Sequence, residues 1–210
     1  MSDSGNQNRE DEWKAYYQKV EKRPPRALFQ ALMQARAADH LPPGLAIDLG
    51  CGDGTETFAL LEAGWSVLAV DQSPDAIQRV KQGAHPNHRA RLQTQQATFD
   101  QAALPPAQAA GCDLIYAGLS LPFCPPAQFP DLWQKIRQAL QPGGRIAAHL
   151  FGVRDSWANR TDMTFLTAEQ VQEMLAGLEV ELLREAEEDR PSAFEAMKHF
   201  HYFEVIARRK

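Results

Sequence analysis

Ile47-Asp48-Leu49-Gly50-Cys51-Gly52-Asp53-Gly54-Thr55 is the stretch that decides how this chain folds. The apolar run Leu45 to Leu49 has the length and flanks of a short buried strand, and Thr55 to Ala63 continues as a helical pattern ending at Gly64. The turn between them alternates glycine with other residues. Glycine permits positive φ and lets a ligand approach the backbone closely. A helix start offers unpaired N–H groups to anything negative. A second strand, Ser66 to Val70, ends in Asp71. Strand, turn, helix, strand and acid thus follow in order within 45–71, more than a bare connecting turn requires.

Outward from this unit the alternation continues. Upstream, Asp11 to Glu21 sets Trp13, Tyr16, Tyr17 and Val20 on one helical face, Pro24-Pro25 ends it, and Arg26 to Asp39 gives a second helix. Met1 to Arg9 reads as disordered. Residues 1–40 are therefore read as an N-terminal helical extension or lid, and 41–210 as the main domain. Downstream, Ser73-Pro74 starts a helix, with Ser as N-cap and Pro in the first turn. Arg91–Gln96 and Asp113–Ala117 read as the third and fourth strands. A proline-stiffened loop, Pro122 to Pro130, leads into a helix to Leu140, and Arg145–Phe151 is the fifth strand. Thr167 and Gln170 form a capping box for a helix to Ala176. Leu178–Glu185 and Lys198–Arg208 are the last two strands, with no helix between them, so a long hairpin is expected. The expected fold is α/β: a Rossmann-like sheet of seven strands, mostly parallel with an antiparallel last strand, and helices on both faces.

Composition narrows the function. The chain has 210 residues, 44% hydrophobic and 23% charged, which is ordinary globular usage. Its formal charge of −5 makes a phosphate backbone a poor partner, so no nucleic-acid ligand is expected. The three cysteines, Cys51, Cys112 and Cys124, contain no CxxC and fit a reducing cytoplasm. The polar start lacks a signal-peptide pattern. No run approaches the roughly 18 apolar residues of a membrane helix, so no membrane partner is expected. Either a monomer or a homodimer is compatible with this composition.

The glycine spacing separates two ligand classes. A dinucleotide fold uses G-x-G-x-x-G, with a pyrophosphate on the helix N-terminus. Here the spacing is G-x-G-x-G, and Thr55 stands where the third dinucleotide glycine would be. Asp71 suits the ribose hydroxyls of either ligand class, so it points to an adenosine ligand without choosing between them. The G-x-G-x-G turn resembles motif I of the class I S-adenosylmethionine (AdoMet) methyltransferases. Leu140-Gln141-Pro142-Gly143-Gly144 is similar to that family's turn before the fifth strand. Trp13 to Tyr17, Leu119 to Phe123, Phe151-Gly152 with Asp155 to Trp157, Thr164 to Thr167, and Lys198 to His201 resemble the tellurite-resistance and thiopurine-type small-molecule enzymes. The resemblance implies AdoMet held by Asp48, Gly50, Cys51, Gly52, Gly54, Thr55, Asp71, Gln72 and Ala117, with Asp48 toward the ammonium and Gln72 along the adenine. Where the family commonly has an adenine-binding Asp, this chain has Thr98 and Phe99. Either Thr98 with the Phe99 N–H takes that role, or Asp100 does after a register shift. The tetrad of amino-directed DNA methyltransferases is replaced by Ala117-Gly118-Leu119-Ser120, which argues against base flipping.

In open α/β sheets ligands lie beyond the carboxyl ends of the strands, so the loops after the fourth and fifth strands face the acceptor. Trp13, Tyr17, Ser120, Phe123 and Arg154 are the expected substrate contacts, with Tyr16 beside them and Arg190 as a second anion-binding candidate. His199, two residues from His201 on one strand face, is the candidate general base for a hydroxyl acceptor. Packing alone would also explain the aromatic helix, solvation the arginines, and a surface or core role the histidines. His-x-His lacks further ligands, so no metal is expected. Cys51 reads as small filler rather than a nucleophile. The expected activity is methyl transfer to a small thiol, chalcogen oxyanion or acid. A binder of AdoMet without turnover and a nicotinamide oxidoreductase are the rivals.

Overall fold

Five parallel strands reverse their order of addition beside β1, and that reversal opens the site. The computed structural model describes residues 23–107, 111–192 and 195–210. The expected helix over Asp11–Glu21 lies outside the described residues, together with Trp13, Tyr16 and Tyr17. The strands are β1 (Leu45–Leu49), β2 (Ser66–Asp71), β3 (Leu92–Gln96), β4 (Cys112–Ala117), β5 (Leu140–Gly152), β6 (Phe165–Leu166), β7 (Leu178–Arg190) and β8 (Lys198–Arg209). They run β3-β2-β1-β4-β5-β8-β7 across the sheet, with β6 paired to β5 off this path. All pairs are parallel except those of β8, which is antiparallel to both β5 and β7. This is the expected sheet with its antiparallel last strand.

The helices are α1 (Ala27–Ala37), α2 (Thr55–Glu62), α3 (Pro74–Gly83), α4 (Phe129–Ala139) and α5 (Ala168–Met174). Alternation along each strand feeds two cores. Ala46, Leu114, Tyr116 and Ala147 face α1 and α2, where Leu28, Phe29, Leu32, Leu60 and Leu61 are buried. Ile47, Leu49, Ile115 and Ile146 face the opposite way, onto Leu132, Trp133 and Ile136 of α4 and Val171 of α5. Helix α1, read as part of an N-terminal extension, thus shares the main core. Local signals act as the sequence implies. Ser73 Oγ caps α3 by accepting the Ala76 N–H at 3.3 Å, and the Thr167–Gln170 box closes with bonds of 2.9 and 3.2 Å.

Three elements differ from expectation. β5 begins at Leu140 rather than Arg145, because the chain bulges at Gly143 (φ 83°) and keeps pairing with β4 on both sides. β7 runs on to Arg190, so the hairpin connection shortens to 191–197. β6 is a two-residue strand with too little pattern to read.

Buried charge fixes the far side of the sheet. Arg145 of β5 forks between Asp39, just past α1, and Glu181 of β7, accepted by Glu181 at 2.7 and 2.8 Å. At the start of β8 Lys198 is 1% exposed and donates to Asp155 in the loop after β5. Asp155 also accepts the N–H groups of Trp157 (3.0 Å) and His201 (3.3 Å). Lys198→Met keeps the apolar stem but leaves Asp155 buried without its cation. Urea denaturation should show a loss of about 3–5 kcal/mol, as for other broken buried pairs, whereas a loss below about 1 kcal/mol would mean that the pair is already solvated.

Candidate functional site

A cleft of about 940 Å³ lies across the carboxyl ends of β1, β2, β4 and β5. One wall is the glycine turn. The N–H groups of Gly50 and Cys51 both donate to the Val70 carbonyl, at 2.8 and 3.0 Å, so the turn is laced to the end of β2. Gly50, Gly52 and Gly54 take φ of 84°, 50° and 82°, which other residues adopt only at a cost. Gly50 has a second reason to be glycine: a Cβ there would sit 2.3 Å from Ser120 Cβ. Ser120 is held in place by its own hydroxyl, which donates to the Leu49 carbonyl at 2.5 Å.

Asp71 is the anchor at the end of β2. One oxygen accepts the Gly52 N–H at 3.0 Å and the other the Ser73 N–H at 2.9 Å. A carboxylate oxygen has room for more than one donor, so each can still accept a ligand hydroxyl. Burial raises the Asp71 carboxyl above its ordinary pKa, against the pull of those backbone bonds.

The acids at the start of α2 form a second cluster. Asp48 is buried and accepts the Thr57 hydroxyl at 2.6 Å. Burial first, then the nearby Glu56 charge, pushes its pKa up to about 7. Burial would raise Glu56 as well, but Arg23, at 2.7 and 2.6 Å, and the Arg26 N–H hold it below its usual value. Arg23 also reaches Asp53 at 3.2 Å, and Asp53 in turn accepts the Thr55 N–H and hydroxyl at 3.2 and 2.9 Å. The N-terminus of α2 thus already carries acid, since Asp53 accepts its first N–H and Glu56 lies in its first turn. Burial, and then the Asp71 and Asp48 charges, raise the Cys51 thiol far above its ordinary value, which fits filler and not a nucleophile.

Most of the sequence candidates meet here. Asp48, Gly50, Cys51, Gly52, Asp71, Gln72, Thr98, Phe99, Ser120 and Phe123 all line the cleft. Asp100 lines it too, and the Thr98 hydroxyl donates to Asp100 at 2.6 Å, so the two alternatives at that position act as a pair. Gly54, Thr55 and Ala117 stand behind the wall, with Tyr116 and Gly118 facing the cleft in place of Ala117.

Arg154 and His199 are brought elsewhere. Arg154 lies between Glu185, at 2.7 Å, and Glu187. His199 is bonded to Asp189 at 2.8 Å and lies 3.5 Å from Glu187, facing the acids of β7. His201 shares that face: its Nδ1 accepts the Arg154 N–H, and its Nε2 meets Glu185 at 2.8 Å. Glu185, Glu187 and His201 lie close enough to hold a cation, but the Arg154 guanidinium already sits on both carboxylates. Strand alternation explains the outcome, because the residue between the histidines, Phe200, is the one that enters the cleft.

Phe200, Phe151 and Trp157 make the opposite wall, with ring centroids 6.4 Å apart for Phe151–Phe200 and for Phe151–Trp157. The Lys198 ammonium lies behind them, 4.0 Å from the Phe200 ring centre and 4.4 Å from that of Trp157. Arg190 stacks on Phe200 at 3.8 Å. Arg23, Arg26 and Glu56 escaped sequence reasoning, since nothing local ties residue 23 to residue 56.

Residues 46–144 match the family model described as a methyltransferase domain. This is the methyltransferase fold. The chain is 30% identical over 108 residues to the uncharacterized methyltransferase sll0829 of Synechocystis, a match covering 50% of this chain and 46% of that protein. Among solved structures, TehB from Haemophilus influenzae superposes with a TM-score of 0.69 at 15% identity, covering 84% of this chain and 61% of that one. The Burkholderia thailandensis 1,6-didemethyltoxoflavin-N1-methyltransferase, solved with its substrate and S-adenosylhomocysteine, superposes with a TM-score of 0.61 at 22% identity, covering 88% and 79%. The chain thus matches under half the length of the curated relative and under two thirds of TehB. No helix among the described residues is long and apolar enough to cross a membrane.

The raised Asp48 sets a pH dependence. The folded state keeps this proton to a higher pH than the unfolded chain. Its stabilisation is therefore complete below about pH 4 and is lost as pH rises through about 7. Asp48→Asn should remove that fall. Chemical denaturation from pH 4 to 8 should show the variant gaining on the native chain by roughly 4 kcal/mol, at 1.36 kcal/mol per unit. Parallel curves would mean that Asp48 is ionised at neutral pH.

Proposed function

We propose that this protein is an AdoMet-dependent methyltransferase acting on a small molecule. One observation carries the choice of cofactor: the N-terminus of α2 is occupied by Asp53 and Glu56 with Arg23 between them. A pyrophosphate needs that helix end open. AdoMet carries no phosphate and brings an ammonium that suits Asp48. Asp71 takes the ribose hydroxyls, Gln72 lies along the adenine, and Thr98, Phe99 and Asp100 meet its edge.

When bound, AdoMet supplies a methyl group on a sulfonium and leaves as a neutral thioether. The chain's part is alignment and exclusion of water, and orientation alone is worth up to ~7–11 kcal/mol. Phe123, Phe151, Trp157 and Phe200 form an apolar wall that dries the path of the methyl group. Arg160 and Arg190 also reach the cleft, each paired with an acid, Asp162 at 3.0 Å and Glu188 at 2.9 Å. His199, turned toward β7, takes no part. Burial lifts Cys112 to about 12 and Cys124 to about 11, and raises Cys51 well above its ordinary value, so none is a ready nucleophile or base. With His199 turned away, the reading favours a thiol or another soft acceptor atom needing little base assistance. Three buried free thiols suit a reducing cytoplasm, and the acidic surface suits a small-molecule acceptor rather than nucleic acid.

The test is S-adenosylhomocysteine release with AdoMet and a panel of aromatic thiols, tellurite, selenite and small carboxylic acids. Turnover with at least one acceptor is expected. Asp71→Ala should weaken AdoMet binding by about tenfold or more, as expected for losing a hydrogen bond with a charged partner. Binding of AdoMet without turnover of any acceptor would leave a sensor or scaffold, and tighter binding of NADH than of AdoMet would end the proposal.

A further inference from the structure

The methyltransferase reading assigns no partner to the carboxylate of the cofactor's amino-acid end. Tyr116 supplies one. It is 1% exposed and lines the cleft, yet its hydroxyl has no hydrogen-bond partner among the described residues. A buried hydroxyl left so is costly unless something binds it. A second unpartnered polar atom, His149 Nδ1, lies on the same face of the sheet. Ala117 pairs with Ala148, so His149 follows one step beyond, level with Gly118.

The position of the phenol is fixed. Tyr116 is the register partner of Asp48 across β1 and β4, so the two side chains share a face. Phe29 of α1 packs edge-on against its ring at 5.3 Å. The ring leans over Gly118, where a Cβ would come within 2.5 Å of the hydroxyl. Only glycine at 118 lets the phenol reach this corner of the rim. The charges around it are Glu56, Arg26, Asp48 and Arg23, and burial keeps the phenol protonated, hence a donor.

We infer that Tyr116 is a cofactor-binding residue whose hydroxyl donates to the α-carboxylate of AdoMet, while Asp48 on the neighbouring strand faces the ammonium. The two ends of one amino-acid group are thus told apart by two side chains a strand apart. This rests on the cofactor placement proposed above.

Tyr116→Phe tests it, read by calorimetry with three ligands. AdoMet and S-adenosylhomocysteine should each lose about tenfold in affinity, as for one bond to a charged acceptor. 5′-Methylthioadenosine, which lacks the whole amino-acid end, should bind both proteins equally. The ligand-free variant should melt at or above the native temperature, because the lost hydroxyl had no partner. Equal AdoMet affinity in the two proteins would overturn the inference alone and leave the cofactor reading standing. Loss of methylthioadenosine binding, or a lower melting temperature without ligand, would overturn it by showing a structural role. An unchanged AdoMet affinity with a raised acceptor KM would move the hydroxyl to the acceptor. Native protein that binds no AdoMet would remove the cofactor reading and this inference together.

Discussion

Everything at the site depends on how the glycine turn is tied to the end of β2. Two N–H groups converge on one carbonyl, that of Val70, and a third, from Gly52, reaches Asp71. These bonds hold the turn against the strand beside it. They also fix the acid that would meet a ribose, since the same carboxylate receives Ser73 at the start of α3. The turn needs positive φ at three places, and the third leaves α2 to start from Gly54, which has no side chain to cap it. Asp53 stands in for that cap.

The cluster beside it is built against electrostatic preference. Asp48, Asp53 and Glu56 crowd a buried corner that one guanidinium, Arg23, only partly neutralises. The result is one acid held ionised, Glu56, and one kept near neutrality, Asp48. A cationic ligand group beside Asp48 relieves this arrangement. The corner is thus preorganised for a positive charge, and no backbone strain is needed to explain its preference.

The glycine-turn half of the cleft was legible because its signals are local. Strand, glycine turn, helix and terminal acid follow within 45–71, and each uses its own residues to fold. Thr98 and Asp100 looked like competitors in one dimension and prove to be bonded to each other. Distance in sequence hid the remainder. Arg23 meets Glu56 across 33 positions, and no pattern in either segment announces the pair. The placement of the histidines was hidden for a different reason. Their spacing rightly put them on one face, but which face turns to the cleft is set by the pairing of β8 with β7, and the acids Glu185, Glu187 and Asp189 claimed it. The extra length of β7 was hidden likewise, since its final turn-like charges are satisfied across the hairpin rather than by burial.

The antiparallel hairpin separates two jobs along the chain. The cleft residues on β1, β2 and β4, with those just past β3, from Asp48 to Phe123, lie inside the span 46–144 that matches the family model. Of the aromatic wall only Phe123 falls within it, and Phe151, Trp157 and Phe200 lie beyond. Under the function proposed above, change in the later third would reshape most of that wall and leave the glycine turn and Asp71 as they are. One cleft is thus walled by two stretches of sequence that can vary separately, because they meet only through the sheet.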